Sequence, residues 1–160
     1  MSVNRRKFLQ ATGASAVALS ATRPAKAQTA KAKPAPKKKR KVLTDKAPKP
    51  GPYSQAIIAN NTVYVAGQVP TNPKTGKVDA VSFEEQATQV FENIKAIVEA
   101  AGSSLDNVVS VRVFLADLNN FQAMNTIYRQ YFTGDLPART TIGAQLLPNI
   151  QIEVDCIAVA

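Results

Sequence analysis

Residues 150–160 read IQIEVDCIAVA. Successive side chains of an extended chain point to opposite faces, so Ile150, Ile152, Val154 and Cys156 fall on one side and Gln151, Glu153 and Asp155 on the other. A strand of this kind packs one face against an apolar layer. Upstream, two helical patterns supply that layer. Phe83, Ala87, Val90, Phe91, Ile94, Ile97 and Val98 recur at intervals of three and four. Ser82 precedes them as an N-cap, Glu84 and Glu85 place acids in the first turn, and Gly102 suits the position just past the helix end. Phe121, Met124, Ile127, Tyr128 and Tyr131 mark a second helix, with Leu118-Asn119-Asn120 at its start.

The remaining apolar runs are short and rich in β-branched residues. QAIIA (55–59) and TVYVAGQV (62–69) are joined by Asn60-Asn61, a pair suited to the positive φ of a tight hairpin. NPKTGK (72–77) is a polar turn, and NVVSVRVFLAD (107–117) a third strand. TTIGAQLL (140–147) and residues 150–160 are the last two, joined at Pro148-Asn149. The order β-β-α-β-α-β-β predicts an α+β domain, a mixed sheet with both helices on one face. That leaves the other face open, which predicts burial of it in an oligomer and a site at the junction of subunits.

Charge divides the chain in two. Residues 1–49 carry 14 Lys and Arg against one acid, Asp45, whereas residues 50–160 carry six against ten acids. The excess of positive charge therefore belongs to the tail, and a specific nucleic-acid partner for the domain is not expected. The opening, MSVNRRKFLQATGASAVALSATRPAKAQ, has a twin-arginine pair, a mildly apolar run and a small-x-small site at Ala25-Lys26-Ala27, in the order of an export signal. The expectation is a twin-arginine-like signal over 1–27 and a periplasmic location. In a mature exported chain PKKKRKV (36–42) would meet no nucleus. Residues 28–43, rich in Lys, Pro and Ala, read as a disordered linker able to touch polyanions nonspecifically. The folded domain is expected over 44–160.

The chain has no His and a single Cys, Cys156. That excludes His-based triads, internal disulfides and Cys-rich metal sites; no metal and no cofactor are expected. Chemistry must come from Arg, carboxylates, Tyr, amides and backbone N–H groups. Cys156, on the apolar side of its strand, reads as a packing residue.

GPYSQA (51–56), VAGQVPTNPKTG (65–76), EAAGSSLDNVV (99–109), FLADLNNFQAMN (114–125), PARTT (137–141) and LPNIQIEVDCIA (147–158) together resemble the RidA (YjgF-type) enamine/imine deaminases, in order along residues 44–160. The resemblance implies a chorismate-mutase-like fold, a homotrimer with sites between subunits, and hydrolysis of reactive enamines and imines (2-aminoacrylate-like) to 2-keto acids and ammonia without cofactor. It implies that Arg139 holds the substrate carboxylate, as a planar fork of donors would, and that Glu153 positions the hydrolytic water. Tyr53, Gly67, Asn125 and Thr141 would line the substrate cleft. Asp155, two residues on, fits the pattern of an exposed strand acid as well as Glu153 does, and the resemblance alone separates them. Thr141 and Ala66 stand where the family often has Cys or Ser and Ser. The loop before Arg139 is shorter than usual. Two other readings share this fold: a module that binds a small carboxylate without turnover, and a chaperone-like trimer using its basic tails.

Overall fold

A computed structural model describes residues 39–160. The proposed export signal, and the linker as far as residue 38, lie outside the described residues. Six strands and two helices follow one another as β1 (Arg40–Val42), β2 (Ala56–Ala59), β3 (Thr62–Gln68), α1 (Phe83–Ala100), β4 (Val108–Leu115), α2 (Phe121–Tyr131), β5 (Ala138–Gly143) and β6 (Ile152–Val159). They form one sheet in the order β1-β2-β3-β6-β4-β5, antiparallel throughout except for the parallel β4–β5 pair. The α+β architecture expected from the sequence is the one observed.

The local reasons are those written in the chain. Asn60 and Asn61 turn the β2–β3 hairpin at φ 48° and 64°. Ser82 caps α1 through a reciprocal pair: its hydroxyl accepts from the Glu85 N–H at 3.2 Å, and the Glu85 carboxylate accepts from the Ser82 N–H at 3.1 Å. Gly102 leaves the helix at φ 85°, where a β-carbon would be strained. Asp117 holds a single 3-10 turn at Leu118–Asn120 that leads into α2.

The core lies between the helices and one face of the sheet. Val90, Phe91, Ile94, Ile97 and Val98 of α1 meet Val63, Val65, Val111, Val113, Ile152, Val154, Cys156 and Ala158 of the strands, all fully or almost fully buried. Phe91 also packs edge-on against Tyr128 and Phe132 and stacks on Tyr131, which ties α1 to α2. At roughly 1.5–3 kcal/mol for each large apolar side chain removed from water, this layer dominates the folding energy. The other face carries Tyr64 and Ile142, both nearly half exposed.

Two boundaries differ from the sequence reading. The linker expected over 28–43 gives way to β1, which pairs Arg40, Lys41 and Val42 with Ile58, Ile57 and Ala56. Val42 is buried in the core and Arg40 and Lys41 point to solvent. An edge strand needs only one apolar contact, so a basic composition does not forbid it. The strand read as 140–147 runs instead from Ala138 to Gly143. It starts directly after Pro137 and ends where β4 ends, with the Ala144 N–H donating to the Leu115 carbonyl.

Candidate active site

Pro137, with no N–H to give, marks the start of β5, and the register then sets Arg139 beside Val111 and Thr141 beside Val113. Both valines are core residues, so Arg139 and Thr141 face the helices. There α2 receives the Arg139 side chain. Its Nη2 donates to Asn125 Oδ1 at 2.8 Å, and the guanidinium carbon sits 4.6 Å from the centre of the Tyr128 ring and 5.9 Å from that of Phe121. Nη1 approaches Met124 Sδ at 3.8 Å. Asn125 and Tyr128 are three residues apart on one helix, which puts the amide and the ring side by side. A cavity of about 270 Å³ opens here, lined by Asn125, Tyr128, Arg129, Leu136, Pro137 and Arg139. The hydroxyls of Tyr128 and Thr141 are buried and find no hydrogen-bond partner among the described residues. Burial pushes the Tyr128 phenol up to about 12, so it stays protonated and able to donate.

Glu153 lies elsewhere. Its neighbours Ile152 and Val154 are fully buried against the helices, so Glu153 projects from the opposite face of β6, in register with Phe114. A β-carbon at Gly67 would collide with Glu153 Oε1, and only glycine lets the carboxylate lie against the β3 backbone. The β3–β6 register shifts between Val65 and Gln68, which takes Gly67 out of the regular ladder. Burial first, and the charge of Asp155 second, raise the Glu153 carboxyl above the ordinary carboxylate range. Asp155 differs: it accepts from Arg112 Nε at 2.8 Å in the one ion pair among the described residues. The two strand acids are thus separated by geometry, one paired and one without a side-chain partner.

Tyr53 is 59% exposed on the loop between β1 and β2, beside Gly67 in a recess of about 230 Å³. That loop is fixed by Gln55, whose importance the sequence reading missed although it stands inside GPYSQA. Its buried amide accepts from the Thr44 N–H and donates to the carbonyls of Thr44, Ala47 and Pro48. Tyr128, read as a core residue, is the second omission; its spacing from Asn125 was the available signal. Cys156 is buried and its thiol is pushed up to about 12 by burial, so it carries no thiolate at neutral pH.

The site residues therefore form two groups. Arg139, Asn125 and Thr141 are together on the helix-covered face; Glu153, Gly67 and Tyr53 are grouped by way of β3 on the other side. Within one chain they do not meet. The register places Cys156, not Glu153, level with Arg139 across β4, and Glu153 projects from the face opposite Arg139. Among the described residues no cluster of three His, Cys, Asp or Glu side chains could hold a metal ion.

Comparison with known proteins gives concordant results. The model of the family described as endoribonuclease L-PSP matches residues 44–160. A RutC family protein of Pyrococcus horikoshii is 49% identical over 119 residues, spanning 73% of this chain and 94% of its own. A Dermatophagoides farinae protein named 2-iminobutanoate/2-iminopropanoate deaminase is 41% identical over 123 residues, 76% of this chain and 96% of its own. The crystal structure of the Escherichia coli YjgF gene product superposes with a TM-score of 0.71 at 41% identity, covering 75% of this chain and 98% of that one.

Proposed function

The chain belongs to the endoribonuclease L-PSP family, which includes relatives named as imine deaminases, and from that premise we propose that it hydrolyses 2-imino acids, and the enamines in equilibrium with them, to 2-keto acids and ammonia. The observation that carries this reading is the pre-seated Arg139: a guanidinium bonded to Asn125 and stacked on Tyr128, with donors left to grip a carboxylate. Glu153, without an ion-pair partner among the described residues and with its carboxyl raised by burial, is a group that can take a proton from water.

Because the two groups lie on opposite faces of the sheet, the complete site joins Arg139 of one copy to Glu153 of another, in a homotrimer whose open sheet faces are covered. Arg139 binds the carboxylate, and the backbone near Gly67 and Thr141 orients the imine. Glu153 takes one proton from water as the water oxygen adds to the imine carbon and the C=N electron pair moves to nitrogen, and it returns that proton to the nitrogen. The resulting carbinolamine passes its hydroxyl proton by way of Glu153 to the amine as the C–N bond breaks, the C=O bond forms and ammonia leaves. The buried hydroxyls of Tyr128 and Thr141, each costly to leave unpaired by about 1–3 kcal/mol, support a further polar partner on the Arg139 side.

The test couples an amino-acid oxidase, which releases an imino acid, to this protein. Ammonia is expected faster than by spontaneous hydrolysis, in proportion to the protein added. An unchanged rate alongside measurable binding of a 2-keto acid would establish a carboxylate-binding module instead.

A further inference from the structure

We infer that Lys49 makes the Glu153 side of the site selective for imino acids bearing a second anionic group, such as a side-chain carboxylate. The inference rests on the imine-hydrolysis reading and names the substrate class within it. Lys49 lines two adjoining hollows. One is the recess of about 230 Å³ lined by Tyr53 and Gly67, and Gly67 is the residue that Glu153 packs against from outside that lining. The other, about 570 Å³, runs outward past Lys41, Leu43, Asp45 and Tyr53. Pro50, Tyr53 and Gln55 are common to both, so Lys49 stands where the recess opens into the outer hollow.

Its loop is held in place. Pro48 and Pro50 flank Lys49 and restrict its backbone. The Pro48 carbonyl, immediately before it, accepts from the buried Gln55 amide at 2.8 Å. Neither Lys41 nor Lys49 forms an ion pair among the described residues, and Asp45 is the single acid lining the outer hollow. With its α-carboxylate on Arg139 of one copy and its imine carbon beside Gly67 and Glu153 of the next, a substrate would direct its side chain into the recess that Gly67 and Lys49 line together. An ammonium there is a compact point charge with three donors, suited to a carboxylate or phosphate on a flexible chain. A neutral side chain gains nothing from it. Arg129, which lines the Arg139 cavity, is the competing cation and provides the control.

The experiment compares kcat/KM for an acidic and a neutral imino acid, 2-iminoglutarate and 2-iminobutanoate, each released in place by an oxidase. The ratio of acidic to neutral is expected to fall about tenfold in Lys49→Ala and further in Lys49→Glu, and hardly at all in Arg129→Ala. A ratio that stays constant in both Lys49 variants, or that collapses in Arg129→Ala alone, overturns the assignment. Calorimetric binding of 2-oxoglutarate against 2-oxobutanoate separates this from failure of the underlying reading. If the protein hydrolyses neither imine, the enzyme reading falls. Lys49 selectivity then stands when 2-oxoglutarate binds more tightly and loses that advantage in Lys49→Ala, and falls when the two bind alike.

Discussion

Arg139 reaches its place already bonded to Asn125 and seated over an aromatic ring, whereas Glu153 lies against a bare glycine backbone with no side-chain partner among the described residues. On one face the rotamer of the functional group is over-determined by helix α2. On the other, burial raises the carboxyl's proton affinity, and no cation pairs with it among the described residues. The contrast teaches a division of labour. Gripping a carboxylate rewards rigidity, because a fixed fork loses little entropy on binding. Moving a proton rewards a group whose two protonation states are close in energy.

The largest effect should come from the Glu153 side. Glu153→Gln keeps shape and removes basicity, so turnover should drop by about 10²–10⁴ while 2-keto acid binding persists. The sign with pH follows from the raised carboxyl. Activity needs the ionised form, so the acid limb of the rate profile should sit above the ordinary carboxylate range, with activity lost as pH falls through it. The same shift means the neutral form suits the folded state better. Its stabilising contribution is present below the unfolded-state value and lost as pH rises through the folded one, so Glu153→Gln should melt no lower than wild type at pH 7. A binding loss as large as the turnover loss would dissolve the contrast between the two sides.

Arg139→Lys comes next. It keeps the charge but not the fork, and a charged hydrogen bond of roughly 1.5–3 kcal/mol implies about ten- to a hundredfold weaker ligand binding. Isothermal titration with 2-oxobutanoate reads this directly, and unaltered affinity would remove Arg139 from the site.

Mixing Glu153→Gln chains with Arg139→Ala chains, which lose the carboxylate grip altogether, sharpens the comparison further. If Arg139 and Glu153 are drawn from different copies, an Arg139→Ala chain still supplies Glu153 and a Glu153→Gln chain still supplies Arg139. Co-refolded at equal amounts, they should regain about a quarter of wild-type activity, the chance that a junction receives both intact groups. No recovery in verified mixed oligomers would place the site within one chain.

The smallest effect tests the domain's edge. Removing residues 1–38 should leave the melting temperature unchanged, while removal through Val42 should cost about 2 kcal/mol for the lost core side chain, plus its strand pairing. Equal stability of the two truncations would return β1 to the linker.

Periodicity made most of this fold legible. α1, with its cap, face and stop, was written in Ser82, the apolar repeat and Gly102, because a helix that buries one stripe must repeat it. β1 was not legible: with Val42 its only buried side chain, it offers no alternation to read, and its basic neighbours carry a stronger compositional signal than its one contact. Arg139 and Glu153 were identified by resemblance, and their identities say nothing of which face each would occupy. That depends on register, which the bulge at Ala66–Gly67 and the parallel β4–β5 pairing set together. Gln55 and Tyr128 escaped for a related reason, since a polar amide in a loop and a tyrosine on an apolar stripe announce their roles only once their partners are placed.

The charged residues of β1 bear on a hazard every open sheet faces. An unpaired edge strand offers its free N–H and C=O groups to any similar edge that drifts near, the first step toward sheet-to-sheet aggregation. Among the described residues the strand that ends the sheet consists of Arg40, Lys41 and Val42, and both cations are exposed. Two such edges approaching would bring the two cations of each together, with Asp45 the one acid in the hollow that Lys41 lines. The two cations thus guard the edge against self-templating, and replacing Arg40 and Lys41 with Thr should lower the concentration at which the protein remains clear.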